Sequence, residues 1–236
     1  MKIMKYGVFC VKKYSKNSMR VHLKINFSNQ VVPFEHQHLL VGTVHKWLGR
    51  NEEHGAISLY SFSRLEGGEA TKCGLIFKKG AHCFFSSVNV DLIKRLISGI
   101  QADPSMFFGL TVDELIIEEN PDLSNRELFF LGSPIFIKRR NGERIEQIFF
   151  DDPRSSEYLK ETLLTKMEKA GLIDDSFDIR FDLSYPKSGT KMITYKGIKN
   201  KANWCPVIIK GKPETKLFAW NVGLGNSTGI GFGAIK

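Results

Sequence analysis

The last sixteen residues, NVGLGNSTGIGFGAIK, constrain the fold more than any other stretch of this 236-residue chain. Gly223, Gly225, Gly229, Gly231 and Gly233 fall within eleven positions. Without a Cβ, glycine lets other atoms approach to backbone distance and tolerates positive φ. A run this dense suits a loop whose amides meet something flat or anionic, such as a phosphate or an RNA helix. The run is close to the G-x-G-x-x-G spacing of dinucleotide-binding folds, but those need a full helix and further strands after the glycines. Only seven residues follow Gly229, and no G-K-[ST] is present there. On this spacing, a nucleotide-cofactor fold is not expected.

Hydrophobic periodicity supplies the rest of the plan. Residues 19–27 (MRVHLKINF) alternate apolar and polar, the pattern of a half-buried strand. Residues 37–49 carry Leu40, Val44, Trp47 and Leu48 on one helical stripe. Residues 57–64 alternate again, and 75–77 with 82–88 predict a hairpin across Lys78-Lys79-Gly80-Ala81. An amphipathic helix follows at 91–101, with Leu92, Leu96, Ile97 and Ile100 inward, then a strand at 110–118.

The turn-rich NPDLSN at 120–125 marks a boundary. Beyond it, 128–138 and 144–149 predict strands around Asn141-Gly142. Residues 156–170 predict a helix with Ser155 or Ser156 as N-cap and Gly171 as terminator. Strands at 177–183 and 205–209 flank a lysine-rich connection, Pro213 opens a helix to about 221, and 231–235 is the last strand. Each half follows the order βαββαβ. The expectation is an α+β fold of two tandem ferredoxin-like (βαββαβ) domains with antiparallel sheets. A basic extension occupies 1–18, a domain carrying the histidines 19–119, a linker 120–126, and a domain with the glycine-rich loop 127–236.

The chain's 42% hydrophobic content is enough for a real core, and no apolar run approaches the ~20 residues of a spanning helix. Cys10, Cys73, Cys83 and Cys205 have no C-x-x-C spacing, and no secretory signal is evident, which predicts a reduced cytoplasmic protein without structural zinc. The net charge is +9, unevenly spread. Residues 1–24 hold seven Lys/Arg and no acid, and residues 187–216 hold eight lysines and one acid, Glu214. Two basic segments on an acidic-leaning body predict a defined anionic footprint, with Lys187, Lys191, Lys196, Lys199 and Lys201 beside the glycine loop.

His36, His38, His45 and His54 lie within nineteen residues. At 100° per residue, His38, Gly42, His45 and Gly49 share the helix face opposite the Leu40 stripe. A metal site built on these imidazoles is disfavoured, because positions i and i+7 stand about 10 Å apart along a helix axis. His54 sits in a loop, EEHGAISLYSFS, where catalytic groups gather, and imidazole suits proton transfer either way near neutral pH.

The closing PETKLFAWNVGLGNSTGIGFGAIK, together with EHQHLL through LYSFSRL, resembles the CRISPR repeat-processing endoribonucleases of the repeat-associated mysterious protein (RAMP) superfamily. The resemblance covers residues 19–236. It implies metal-independent cleavage of precursor CRISPR RNA within its repeats: a 2′-hydroxyl attacks the adjacent phosphate and leaves a 2′,3′-cyclic phosphate and a 5′-hydroxyl. His54 aligns with the family's loop histidine, and His45 falls where members carry a tyrosine or histidine on the first helix. One serves as base and the other as acid, with His38 as a further candidate. Gly223, Gly225, Asn226, Ser227, Gly229, Gly231 and Gly233 join the lysines as RNA-binding positions. Two departures stand out: Glu53 replaces a hydrophobic residue, and Ser58 stands near a loop lysine of some relatives. Charge stabilisation then falls to Lys46, Arg50 or Arg64, or is absent. The implied partner is CRISPR repeat RNA, with no membrane and no cofactor; an effector complex and a homodimer are further options. Some RAMP proteins bind RNA without cutting it, so a non-catalytic subunit of an effector complex is the alternative.

Overall fold

The computed structural model describes residues 19–49 and 57–236. The first half opens with β1 (Met19–Ile25) and β2 (Ser28–Pro33), then α1 (Gln37–Leu48) and β3 (Tyr60–Phe62). It continues with β4 (Glu69–Ala70), β5 (Gly74–Phe77), β6 (Ala81–Ser87), α2 (Val90–Ala102) and β7 (Val112–Glu118). The main sheet runs β3-β6-β1-β7 and every pairing is antiparallel. Counting only its four strands, that order is 2-3-1-4, the ferredoxin-like arrangement. The apolar stripes of α1 and α2 pack on one face of this sheet, with Leu40, Val44, Trp47, Leu96 and Ile100 all buried.

The second half contains β8 (Leu128–Phe129), β9 (Lys138–Asn141), β10 (Arg144–Gln147), α3 (Ser155–Lys169) and β11 (Asp178–Phe181). After these come β12 (Gly189–Tyr195), β13 (Ile198–Trp204), β14 (Val207–Lys210) and α4 (Pro213–Val222). Its sheet runs β11-β14-β8. A fourth line of backbone completes it: Lys236 N–H donates to Phe130 O at 2.8 Å, Phe130 N–H to Lys236 O at 2.9 Å, and Gly132 N–H to Ala234 O at 2.8 Å. The order is again 2-3-1-4, so the α+β fold with two ferredoxin-like units holds.

Several local expectations need correction. The residues at 75–77 and 82–88 do not pair as a hairpin, although the turn forms with Gly80 at φ +83°. Both sides of β6 are taken by β1 and β3, so β5 pairs instead with β2 and β4 in a separate small sheet. The single strand expected at 128–138 is broken, because Gly132-Ser133-Pro134 interrupts it and proline has no N–H to donate. Helix α3 starts at Ser155 without a side-chain cap, so neither Ser155 nor Ser156 caps it. The lysine-rich connection is a β12–β13 hairpin whose turn, Lys196-Gly197, has both residues at positive φ, +48° and +78°. Residues 231–235 are not a continuous strand, since Gly231 and Gly233 both take positive φ.

Arg20 is one of the side chains that join the halves. Arg20, on β1 and 2% exposed, donates Nε–H to Ser86 Oγ at 2.8 Å. Its Nη2 donates across the boundary to Trp220 O at 2.9 Å and Ile235 O at 2.8 Å. The guanidinium lies 3.3 Å from the Trp220 ring centroid and 3.9 Å from that of Phe84.

Candidate nucleic-acid interface

His45 sits in the last turn of α1, where Gly49 N–H closes the helix on His45 O at 3.0 Å. Its imidazole turns toward the glycine loop of the other half. Nε2 stands 3.2 Å from Gly229 O, and a carbonyl can only accept, so the imidazole donates Nε2–H. The Tyr60 hydroxyl, from β3, is 3.4 Å from both Gly229 O and His45 Nε2. Gln37, at the start of α1, donates Nε2–H to Ile230 O at 2.9 Å. Helix α1 is thereby pinned to the loop at both ends.

The glycines are needed for this fit. A Cβ on Gly229 would stand 2.3 Å from Ser58 Oγ, and one on Gly231 would stand 2.1 Å from Gln37 Nε2. A Cβ on Gly233 would meet Leu224 O at 1.9 Å. All five glycines are buried, and the atoms they admit are this chain's own. Asn226 and Ser227 are the half-exposed members of the loop, along with Ile230.

Two clefts of similar size lie along the boundary. The first, about 490 Å³, is lined by Arg64, Phe130, Tyr185, Lys191, Trp204 and Lys236 among others. It mixes cations with aromatic faces, and Lys191 Nζ is 3.8 Å from the Trp204 ring centroid. Such a surface can pair phosphates and stack bases. Arg64 also lines a smaller neighbouring cleft with Lys199 and Gln37. Its guanidinium has no hydrogen-bond acceptor among the described residues, and burial lowers its pKa. The second cleft, about 460 Å³, runs between α3 and the 225–228 loop, with Lys138, Arg139, Lys166 and Ser227 on its walls.

The remaining expected residues divide. His38 is exposed on α1, two turns before His45. Lys187, Lys196, Lys199 and Lys201 are exposed, the last three on the β12–β13 hairpin or its turn. Lys46 is committed elsewhere: Nζ pairs with Asp103 Oδ2 at 2.8 Å and Ser105 O at 2.6 Å. That ammonium and Ser105 hold the Asp103 carboxyl down at about 2. His54 and Arg50 lie outside the described residues, as does the 1–18 extension. Among the described residues no group of three or more His, Cys, Asp or Glu could hold a metal ion, and no helix is long and apolar enough to cross a membrane.

Sequence reasoning passed over Tyr60, Gln37, Arg139, Thr228 and Lys166. Lys166 reads as one of several charged residues on α3, yet it is 4% exposed. Nζ donates to Gly223 O at 2.9 Å and Val222 O at 3.4 Å, placing a positive charge at the carbonyl end of α4. Burial pushes its pKa down to about 7. The unfolded chain holds that proton up to about pH 10.4. Between about pH 7 and pH 10.4 the unfolded state therefore binds more protons, and stability rises with pH. In urea unfolding, Lys166→Met is expected to flatten this rise; a rise of equal slope in the variant would mean that Lys166 is solvated.

A pair of ferredoxin-like units closed by a buried glycine loop, with cations gathered along the boundary clefts, defines the class: a tandem ferredoxin-like protein with a basic seam between its units. The family described as CRISPR associated protein Cas6, C-terminal, matches residues 118–236. The chain belongs to this CRISPR-associated Cas6 family. It is similar to an endoribonuclease-like Cas6 protein of Pyrococcus furiosus, 24% identical over 249 residues that span 92% of this chain and 98% of the relative. The structure of a Cas6-related gene product from Pyrococcus furiosus superposes with a TM-score of 0.81 at 21% identity, covering 93% of this chain and 98% of that one. A RAMP protein described as binding different RNA substrates gives a TM-score of 0.80 at 18% identity, covering 92% and 98%.

Proposed function

We propose that this protein is a metal-independent endoribonuclease that cuts precursor CRISPR RNA within its repeats. The observation that supports it is the contact of His45 with Gly229, which sets an imidazole of the first half against the glycine loop of the second, along a boundary that also carries two cation-lined clefts. In this reading the repeat's 2′-hydroxyl attacks its own 3′ phosphate and the 5′ oxygen leaves. His45 and His54 exchange the two protons, one as base and one as acid, while His38 stands in reserve on the same helix. Lysines 187, 191, 196, 199 and 201, with Arg64, bind phosphates; Asn226 and Ser227 contact the strand at the loop. The RNA-binding and Cas6 product-complex structures among its fold relatives favour RNA as the ligand.

The second reading is a repeat-binding subunit without cleavage. It is favoured by the commitment of His45 Nε2–H to Gly229 O and of Lys46 to Asp103. Single-turnover cleavage of repeat RNA in EDTA separates the two. Cleavage in EDTA is expected, with a loss of roughly 10²–10⁴ in rate for His45→Ala and for His54→Ala. Tight binding with intact RNA selects the second reading, and cleavage that requires divalent metal excludes the mechanism.

A further inference from the structure

The cleft between α3 and the 225–228 loop holds donors that the acid–base chemistry above leaves unused. Thr228 is 2% exposed, and its Oγ1 is buried with no hydrogen-bond partner among the described residues. Arg139 Nε is likewise buried and without a partner among them, while Arg139 Nη2 is tied to Glu161. Lys166 completes the set, its ammonium bonded among the described residues to the carbonyls of Val222 and Gly223. Asn226 spends its side-chain oxygen on Lys138 N–H at 2.8 Å, so its amide nitrogen remains as a donor.

All these groups line one cleft, and among the described residues no carboxylate lines it with them. A buried donor left without an acceptor costs about 1–3 kcal/mol. Several such donors in one place are complementary to a species that only accepts and carries negative charge on several oxygens. Phosphate has that chemistry, and the hydroxyls of Ser58 and Ser227 at the cleft wall suit it as well.

We propose that this cleft is a phosphate-binding site in which Lys166, Arg139 Nε–H and Thr228 Oγ–H hold one phosphodiester of the RNA strand. The next residue after Thr228 is Gly229, whose carbonyl receives His45. A phosphate seated here is one residue along the loop from that contact, and it fixes the strand's register relative to the imidazole. An anion in the cleft also holds charged an ammonium that burial otherwise pushes down to about 7. The RNA assignment rests on the function proposed above; the phosphate chemistry stands without it.

Two measurements on the full chain test the site. Inorganic phosphate is expected to raise the Tm of the wild-type protein, and Thr228→Val and Arg139→Gln are each expected to abolish that rise. Thr228→Val is close in shape and removes an unpartnered hydroxyl, so without phosphate its Tm should equal or exceed that of wild type; this separates loss of binding from loss of fold. With fluorescent repeat RNA, Thr228→Val should weaken affinity roughly fivefold. Arg139→Gln should lower the slope of log affinity against log salt by about one.

A phosphate-induced rise that is absent in wild type, or that survives both substitutions, overturns the site. A rise lost in both variants with RNA affinity and salt slope unchanged assigns the cleft to free phosphate and overturns the RNA assignment. If the wild-type chain binds no repeat RNA, the proposed function fails, and the phosphate response alone then decides for or against the site.

Discussion

Gly233→Ala is expected to destabilise the fold by about 2–5 kcal/mol, a large share of the roughly 5–15 kcal/mol that holds a typical protein folded. Two costs add. Gly233 sits at φ +71°, where a Cβ costs about 1–2 kcal/mol. The added methyl would also stand 1.9 Å from Leu224 O, whose own residue bonds back through Leu224 N–H to Gly233 O at 2.8 Å. Relieving such an overlap forces backbone movement worth roughly a further 1–3 kcal/mol. Chemical denaturation monitored by the fluorescence of buried Trp220 measures it. A change below about 1 kcal/mol would show that the 224–233 crossing can open at little cost.

Arg20→Ala is expected to have a comparable effect for a different reason. The truncation leaves Trp220 O and Ile235 O without a donor, frees Ser86 Oγ, and empties the slot between the Phe84 and Trp220 rings. Hydrogen bonds from a charged donor contribute about 1.5–3 kcal/mol each, so a loss of about 3–5 kcal/mol follows after relaxation. Arg20→Lys should recover only part of it, because an ammonium cannot reproduce the planar group that serves Ser86 through Nε and two carbonyls through Nη2 while stacked between two rings. Unfolding that becomes broader or biphasic in the alanine variant would show that this side chain couples the two halves. Wild-type stability in Arg20→Ala would remove it from that role.

The order of elements was legible because period two and period 3.6 are local signals. Helices α1, α2 and α4 begin and end within about two residues of the stripes that announce them. Strand pairing was less legible. Whether β5 joins β6 depends on which edge of β6 is free, and that is a property of the assembled sheet. The β12–β13 hairpin escaped notice because Lys196 takes φ +48°, a position where turn rules look first for Asn, Asp or Gly. The need for close approach at the glycine loop was readable from the missing Cβ atoms, but the identity of the approaching atoms was not. Arg20 and Lys166 were invisible for a plain reason: on a strand or helix in sequence they are ordinary basic residues, and only tertiary packing buries them, Arg20 against the other half and Lys166 against the end of α4.

The self-contacts of the glycine loop bear on how such a protein could be retargeted. Its five glycines answer to neighbouring backbone and to Gln37 and Ser58, which leaves them no latitude to encode preference for one RNA over another. Under the proposed function, selectivity would therefore be written at the margins: on the lysine-bearing hairpin, on the aromatic wall at Trp204 and Tyr185, and along the outward turns of α3. An engineer wishing to change which RNA such a protein would take should redraw those borders and leave the loop itself alone.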